Sequence, residues 1–227
     1  MKKSMKAVAA LMLMTVAVCV VGCKKTDDLT HEYVDLGLPS GTLWATCNVG
    51  ADTPEGYGDY FAWGETKPKT TYDWSTYKYC KKNSPWCLTK YCSDSSYGYK
   101  GFIDNLTTLQ PSDDAATANW GSGWRMPTQT EWQELYDNTT HTWTSQNGLN
   151  GRLFVASNGK SIFLPATGGQ FGTGYSLSNV YGYYWSSSLL IEEPSGAWCS
   201  GFESNNYFMD YGERWTGCSV RPVRSAK

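Results

Sequence analysis

Residues 123–132 read Gly-Trp-Arg-Met-Pro-Thr-Gln-Thr-Glu-Trp, and they specify the start of a helix. Thr128 and Glu131 have the spacing of a capping box, in which each side chain accepts a hydrogen bond from the other residue's backbone N–H. Apolar residues then recur at helical spacing, at Trp132, Leu135 and Tyr136. The sequence therefore predicts an amphipathic helix that begins after Thr128 and ends at Asn138.

A second, shorter helix is predicted just before this one. Ser112 is expected to cap it, with Asp113 and Asp114 in the first turn, where carboxylates interact favourably with the helix dipole. Strand-like runs bounded by Gly, Pro and Asn surround the two helices. They comprise a hairpin over 33–49 that turns at Pro39-Ser40-Gly41, and runs at 60–63, 152–156, 161–164, 183–189, 197–202 and 218–224.

The dipeptide Asn158-Gly159 predicts a two-residue hairpin turn between two of these runs. Strands, then helices, then a further series of strands indicate the α+β class. Residues 66–106, called the excursion below, lack periodicity and are rich in Tyr, Ser, Thr and Lys. A loop of this length is usually functional or disordered, and its aromatic residues and three cysteines favour an ordered, disulfide-stapled segment.

Composition excludes two broad classes. Aromatic residues make up 15% of the 227 residues and charged residues 18%, which argues against disorder because such a chain can bury a substantial core. Without the three lysines of the first six residues, 16 basic residues remain against 21 acidic ones, a net charge near −5. No nucleic-acid partner is expected, because the chain lacks the basic excess that phosphates require.

The amino terminus predicts export. A basic start is followed by an apolar or neutral run over 7–21, which is too short to span a membrane but typical of a signal peptide. The run ends at Gly22-Cys23, which resembles a bacterial lipoprotein signal. We expect residues 1–22 to be removed and Cys23 to be acylated, which would tether the protein to a membrane surface. The alternative is an ordinary signal peptide with an incidental cysteine.

Residues 23–32 read as a polar tether. Their Lys24-Lys25-Thr26-Asp27-Asp28 segment is similar to the export tag of surface-displayed lipoproteins of Bacteroidota. This similarity implies an outer-membrane, lipid-anchored protein exposed at the cell surface.

Six cysteines remain after the signal peptide and the acylated residue: Cys47, Cys80, Cys87, Cys92, Cys199 and Cys218. In an oxidising compartment most of them are expected to pair. We predict a Cys199–Cys218 disulfide between two apparent strands, while Cys80–Cys92 and Cys87–Cys92 stay open as alternatives. A zinc site is not expected, because no second close cysteine pair or histidine accompanies Cys87 and Cys92.

Four segments together resemble the Fibrobacter succinogenes major paralogous domain family, a bacterial form of the C-type lectin-like fold. They lie at 33–46, 123–132, 184–188 (Tyr-Trp-Ser-Ser-Ser) and 217–224 (Gly-Cys-Ser-Val-Arg-Pro-Val-Arg). The resemblance implies one domain over 33–225, with a twisted antiparallel sheet, two flanking helices and long irregular loops. The family has no established catalytic activity. Arg125 and Arg221 are expected to form a structural ion pair or a backbone clamp, with carboxylate binding as the alternative.

Catalytic and metal sites are not predicted. The sequence has no nucleophile elbow, phosphate loop or dinucleotide fingerprint. His141 is expected to be a surface residue in a turn, and the adjacent acids Asp113/Asp114 and Glu192/Glu193 do not make a glycosidase pair. Glu193-Pro194-Ser195 is similar to the calcium-dependent sugar loop of animal lectins but lacks its third ligand. We therefore expect no cofactor and no metal ion.

The expected function is a binding module for a glycan or protein ligand. Residues 203–215 combine aromatic and small polar side chains, a composition typical of adaptable recognition surfaces. The predicted site consists of Ser204, Asn205, Asn206, Tyr207, Arg214 and Trp215. Three alternatives stay open: a retroelement-diversified binding protein, a structural surface-coat protein, and an enzyme or enzyme accessory. The enzyme would be similar to the formylglycine-generating oxidases, with Cys199 and Cys218 as its cysteine pair.

Overall fold

The computed structural model describes residues 31–226. The predicted signal peptide, Cys23 and most of the predicted tether lie outside the described residues. Among the described residues strands predominate, in agreement with a strand-rich α+β composition: β1 (Tyr33–Asp35), β2 (Thr42–Ala45), β3 (Thr139–Gln146), β4 (Leu149–Ala156), β5 (Ser161–Pro165), β6 (Gly169–Phe171), β7 (Gly174–Ser176), β8 (Gly182–Leu189), β9 (Gly196–Phe202), β10 (Tyr207–Glu213) and β11 (Val223–Ser225). The helices are α1 (Ala115–Trp120), α2 (Gln129–Asp137) and a 3₁₀ turn at Tyr99–Gly101. None of these helices has the length and apolarity that crossing a membrane requires.

The strands form four small antiparallel sheets, in the orders β1-β2-β11, β3-β4-β5, β6-β7 and β10-β9-β8. Trp44 in β2 lies opposite Val34 on one side and Val223 on the other, so the two ends of the described chain share one sheet. The predicted first hairpin is confirmed. Its turn places Gly41 at φ 71°, a left-handed conformation that glycine adopts without steric cost.

The capping box of α2 is confirmed: both the Thr128 and the Glu131 hydrogen bonds are present, and Asn138 caps the carboxyl end. The prediction for α1 is corrected, because its N-cap is Asp114 rather than Ser112. One Asp114 oxygen accepts from Thr117 N at 2.9 Å and the other from Met126 N at 2.8 Å. A two-oxygen carboxylate can join the start of α1 to the segment between α1 and α2 in this way, whereas a serine hydroxyl cannot hold both positions.

The Asn158-Gly159 hairpin joins β4 to β5 as predicted. Four strands were not predicted: β3, where His141 lies, β10, and the short strands β6 and β7. Edge strands bury only part of their side chains, so their sequences lack a continuous apolar run. Conversely, the predicted run at 60–63 forms only an isolated bridge between Phe61 and Cys218.

Arg125 and Arg221 both have structural roles. Arg125 forms an ion pair with Glu131 at 2.5 Å, and its backbone exchanges hydrogen bonds with Val223. The Arg221 guanidinium is fully buried and donates to Asn48 Oδ1 at 2.8 Å and to three backbone carbonyls. The predicted ion pair and backbone clamp are therefore confirmed.

The excursion is ordered around a buried arginine, not around disulfides. Arg214 is 0% exposed, and its guanidinium donates to Tyr77 Oη at 2.8 Å and to the carbonyls of Tyr91, Pro194 and Lys90 at 2.9, 2.8 and 3.0 Å. Three of these four bonds reach the excursion. Since carbonyls of an irregular segment have no ladder partners, one guanidinium supplies the donors that a sheet would otherwise provide.

A buried carboxylate completes this arrangement. Asp113 accepts hydrogen bonds from the hydroxyls of Tyr79 and Tyr91 and pairs with Lys90 at 2.6 Å and Lys78 at 3.2 Å. Burial opposes ionisation, but these four donors outweigh it and lower the pKa of Asp113 to about 2. The carboxylate is therefore ionised at neutral pH and fixes the excursion to the start of α1.

No disulfide is formed among residues 31–226, and all six cysteines there are free. The predicted Cys199–Cys218 bridge is absent because β8 lies between the two residues. On one side of β8, Trp185 is paired with Cys199 of β9. On the other side, the backbone N–H of Trp185 donates to the carbonyl of Ser219, the residue after Cys218. Strands lie about 4.8 Å apart, which places the two cysteine Cα atoms roughly 9–10 Å apart or more. A disulfide requires a Cα separation below about 7 Å.

Candidate ligand-binding site

One face of the β8-β9-β10 sheet carries two aligned rows of side chains. Along each strand, side chains alternate between the two faces of the sheet. Residues directly opposite one another on neighbouring strands therefore lie on the same face, as do residues two positions apart on one strand. The rows run across the three strands as Tyr183, Gly201 and Phe208, and as Trp185, Cys199 and Asp210. Residues from three strands thus project toward the same space on a hydrogen-bonded framework.

Gly201 determines where the Phe208 ring lies. A Cβ atom added to Gly201 would stand 2.0 Å from the Phe208 ring, far inside contact distance. The glycine lets the ring lie directly across β9 beside Tyr183. A larger residue at this position would displace the ring and change the shape of the face.

A cavity of about 460 Å³ lies over this face. Its size falls within the range of roughly 300–1,000 Å³ that is usual for small-molecule sites. Five of its eleven lining residues are aromatic, and none is Lys, Arg or His: Phe171, Tyr183, Cys199, Phe208, Asp210, Tyr211, Gly212, Glu213, Trp215, Thr216 and Cys218. The site therefore offers aromatic faces and acidic groups.

The wall opposite the sheet is formed by two aromatic rings from separate segments. Trp215 donates its indole N–H to the Glu213 carboxylate, which fixes the orientation of the ring. Phe171, at the end of β6, meets Trp215 edge to face, with ring centroids 6.2 Å apart. Phe171 is 43% exposed, so part of this wall is accessible to solvent.

Asp210 and Glu213 supply the charge of the site. Both carboxylates are exposed, and Asp210 Oδ1 accepts from Tyr211 N at 2.8 Å. Four ion pairs are found among residues 31–226, and neither carboxylate takes part in one of them. The two negative charges are therefore not neutralised by neighbouring cations in the described part of the chain.

The floor of the cavity is uncharged at neutral pH. Burial raises the pKa of Tyr183 to about 12 and the pKa of Cys218 to about 12. Burial, followed by the neighbouring Cys218 and Asp210, raises the pKa of Cys199 well above its ordinary value. Because the thiolate is the reactive form of cysteine, these two thiols do not offer a nucleophile at pH 7.

The structure does not bring the six predicted site residues together. Trp215 lines the cavity, whereas Arg214 is fully buried in the core, a correction to its assignment as an accessible ligand-binding residue. Ser204, Asn205 and Asn206 form the exposed tip of the β9–β10 hairpin, away from the lining residues.

Tyr207 lies on the other face of β10. Its ring stacks on Tyr136 of α2, with centroids 4.4 Å apart and planes 18° apart. His141 of β3 meets the same ring edge to face at 4.4 Å. Tyr207 therefore packs partly against the helix side of the sheet.

Sequence reasoning missed most of the cavity. Phe208, Asp210, Tyr211 and Glu213 lie inside the 203–215 stretch that was singled out for its composition, but the strand alternation there was not recognised. Reading 207–213 as a strand would have separated Phe208 and Asp210 from Tyr207. Phe171 carries no local signal, because its partner Trp215 is 44 residues away in the sequence.

Among residues 31–226 no group of three or more His, Cys, Asp or Glu side chains is placed to hold a metal ion. Asp113 and Asp114, adjacent in sequence, have separate structural roles as an ion-pair partner and a helix cap. No protein-family model, curated protein or solved structure matches this chain.

Proposed function

We propose that this protein is an exported, lipid-anchored module that binds a ligand without transforming it, and that the cavity over β8-β9-β10 is its binding site. One observation carries the proposal: five aromatic residues converge on a cavity of suitable size that is built on paired strands. Aromatic walls with a few polar groups are typical of ligand sites. The ligand is a glycan or an exposed group of a protein, not a nucleic acid.

We further propose the C-type lectin-like fold of the Fibrobacter major paralogous domain family. Three of the motifs that carry the resemblance meet in space, which supports the assignment. The 33–46 and 217–224 segments contribute to the β1-β2-β11 sheet, and 123–132 contacts it where Arg125 pairs with Val223 before leading into α2. The β10-β9-β8 sheet supplies the antiparallel core that the resemblance implies.

The membrane is a partner only through the anchor in this proposal. The sequence before residue 31 supports acylation of Cys23 and display at the outer-membrane surface. A Cys23→Ser variant should lose incorporation of radiolabelled palmitate and leave the membrane fraction. Retention of both properties would contradict the lipid anchor without affecting the cavity.

The oxidase alternative is less well supported than binding. It requires a reactive cysteine pair, whereas burial raises the pKa of both Cys199 and Cys218 and β8 separates them.

The proposal is tested by screening the detergent-extracted full chain on glycan and protein arrays. Trp215→Ala should lose at least about tenfold in affinity for any ligand found, because a stacked aromatic wall is removed. Trp86→Ala is the matched control, since Trp86 is 56% exposed but lies in the excursion, outside the cavity. Equal loss in both variants, or unchanged affinity in Trp215→Ala, would move the site elsewhere, first to the Tyr72–Tyr99 part of the excursion. Turnover of any ligand would contradict a purely binding role.

A further inference from the structure

The charge of the cavity narrows the class of ligand. We infer that the site selects a ligand group that carries a positively charged ammonium, held against the aromatic walls and between Asp210 and Glu213. This inference rests on the proposed binding function and adds the chemistry of the group that is bound.

The charges around the cavity are all negative. Asp210 and Glu213 line it, no lining residue is basic, and neither carboxylate is in an ion pair within residues 31–226. Glu203 contributes to the same negative potential. Burial is the largest cause that raises the pKa of Tyr183, and the charge of Glu203 is a smaller one. An anionic ligand would be repelled, and a neutral ligand could donate hydrogen bonds to the carboxylates but would lack the Coulombic attraction that a cation gains.

Two arginines close to the β9–β10 hairpin, Arg214 after β10 and Arg152 in β4, donate their hydrogen bonds to groups outside the cavity lining. The Arg214 guanidinium donates to Tyr77 and to three backbone carbonyls inside the core. Arg152 donates to the carbonyls of Glu203 and Asn206, on the side of β10 where Tyr207 packs. Neither guanidinium therefore forms an ion pair with Asp210 or Glu213.

The aromatic rings supply the second half of the recognition. A cation is attracted to the face of an aromatic ring within about 6 Å of its centroid, and tryptophan is the strongest partner. The indole N–H of Trp215 is bound to Glu213, so the carboxylate lies at the edge of the same ring. An ammonium over Trp215 would meet the ring and the carboxylate together. The neutral floor, formed by half-buried Tyr183 and buried Cys199 and Cys218, would accept the apolar part of the ligand.

The first test compares matched charged and neutral probes on the full chain by calorimetry. Choline is paired with 3,3-dimethyl-1-butanol, which has the same shape without the charge, and glucosamine is paired with N-acetylglucosamine. We expect each cation to bind about tenfold or more tightly than its neutral partner. Choline preferred over glucosamine would indicate a quaternary ammonium source, such as a lipid headgroup. The reverse order would indicate an amino sugar. Equal binding within both pairs, or no measurable binding of either cation, would overturn the inference.

The second test removes the charges. The double variant Asp210→Asn/Glu213→Gln should reduce the cation preference about tenfold or more, and added salt should weaken cation binding only in the wild type. Glu192→Gln is the control, because Glu192 is an exposed acid outside the cavity. Unchanged circular dichroism and melting temperature exclude misfolding. A double variant that keeps the full cation preference would contradict the inference.

These outcomes are distinct from failure of the proposed function. If an array ligand is neutral and its binding depends on Trp215, the binding site stands and only the ammonium inference falls. If no ligand depends on Trp215, the proposed site itself is wrong.

Discussion

The excursion and the cavity are similar in composition and opposite in what their side chains do. Both are rich in tyrosine, tryptophan and small polar residues, and both contain acidic groups. In the excursion Tyr77, Tyr79 and Tyr91 are buried, and their hydroxyls are hydrogen-bonded within the protein. Around the cavity, aromatic faces and two carboxylates are left accessible. The comparison shows that composition alone does not distinguish a binding surface from an internally satisfied one.

The physical difference is the availability of partners. Tyr77, Tyr79 and Tyr91 of the excursion all have hydroxyl groups bonded within the protein. Asp113 has four donors, whereas Asp210 has one backbone donor and no cation. Groups whose hydrogen-bonding capacity is already used contribute to stability, and those with free capacity can contribute to recognition.

The largest effect is expected from Arg214→Met. This change removes four hydrogen bonds and leaves buried carbonyls unpaired, so the free energy of unfolding in urea should fall by about 3–5 kcal/mol. Hydrogen exchange should show faster opening of excursion amides than of amides in β8 and β9. Lys82→Met, an exposed change in the same segment, should alter stability little. Equally faster hydrogen exchange across the whole protein would contradict the contrast between the excursion and the cavity.

Asp113→Asn should have the next largest effect, about 2 kcal/mol at pH 7. The carboxylate pKa is lowered to about 2 in the folded protein, below its ordinary value. Its contribution is therefore present above about pH 4 and is lost as the pH falls toward 2. Urea titrations of both proteins should accordingly converge between pH 4 and 2.

Asp94→Asn is the control for this pH dependence, because Asp94 is an exposed carboxylate of the excursion. It should leave the free energy of unfolding at pH 7 close to that of the wild type. A constant stability difference between wild type and Asp113→Asn down to pH 2 would contradict the role of the Asp113 charge.

Gly201→Ala should disturb the cavity more than the protein as a whole. The added Cβ would displace the Phe208 ring, at a cost of about 1–2 kcal/mol in unfolding free energy and at least about tenfold in ligand affinity. Gly174→Ala is the matched control, since a Cβ added there meets no atom within 4 Å. Ligand affinity equal to wild type in Gly201→Ala would show that the Phe208 position does not matter for binding.

Trp215→Ala should have the smallest effect on stability. The ring is only partly buried, so the free energy of unfolding should change by less than about 1 kcal/mol. Ligand affinity should nevertheless fall. In Arg214→Met, by contrast, the main loss should be in the free energy of unfolding. A loss of several kcal/mol in Trp215→Ala would place Trp215 with the structural residues of the excursion.

The elements that could be predicted depend on near neighbours in the sequence. The capping box at Thr128 and Glu131 and the Asn158-Gly159 turn are closed by contacts within a few residues, and both are present. The edge strand β10 was missed because its partner β9 supplies the pairing that its own sequence does not indicate. The disulfide prediction failed because spacing along the chain does not reveal that β8 separates Cys199 from Cys218.

The sequence by itself determined the strand-rich α+β composition, the α2 helix, the β1–β2 and β4–β5 hairpins and the acidic balance of the chain, because each follows from local bonding preferences or from counting. Only the tertiary structure decided that Arg214 is a buried anchor while the adjacent Trp215 lines a cavity. Adjacent residues at the end of a strand can face opposite sides of the sheet. Their surroundings are set by residues more than 40 positions away in the sequence: Phe171 contacts Trp215, and Tyr77 bonds to Arg214. Burial and free bonding capacity are properties of those distant contacts, so they emerge only when the chain has folded.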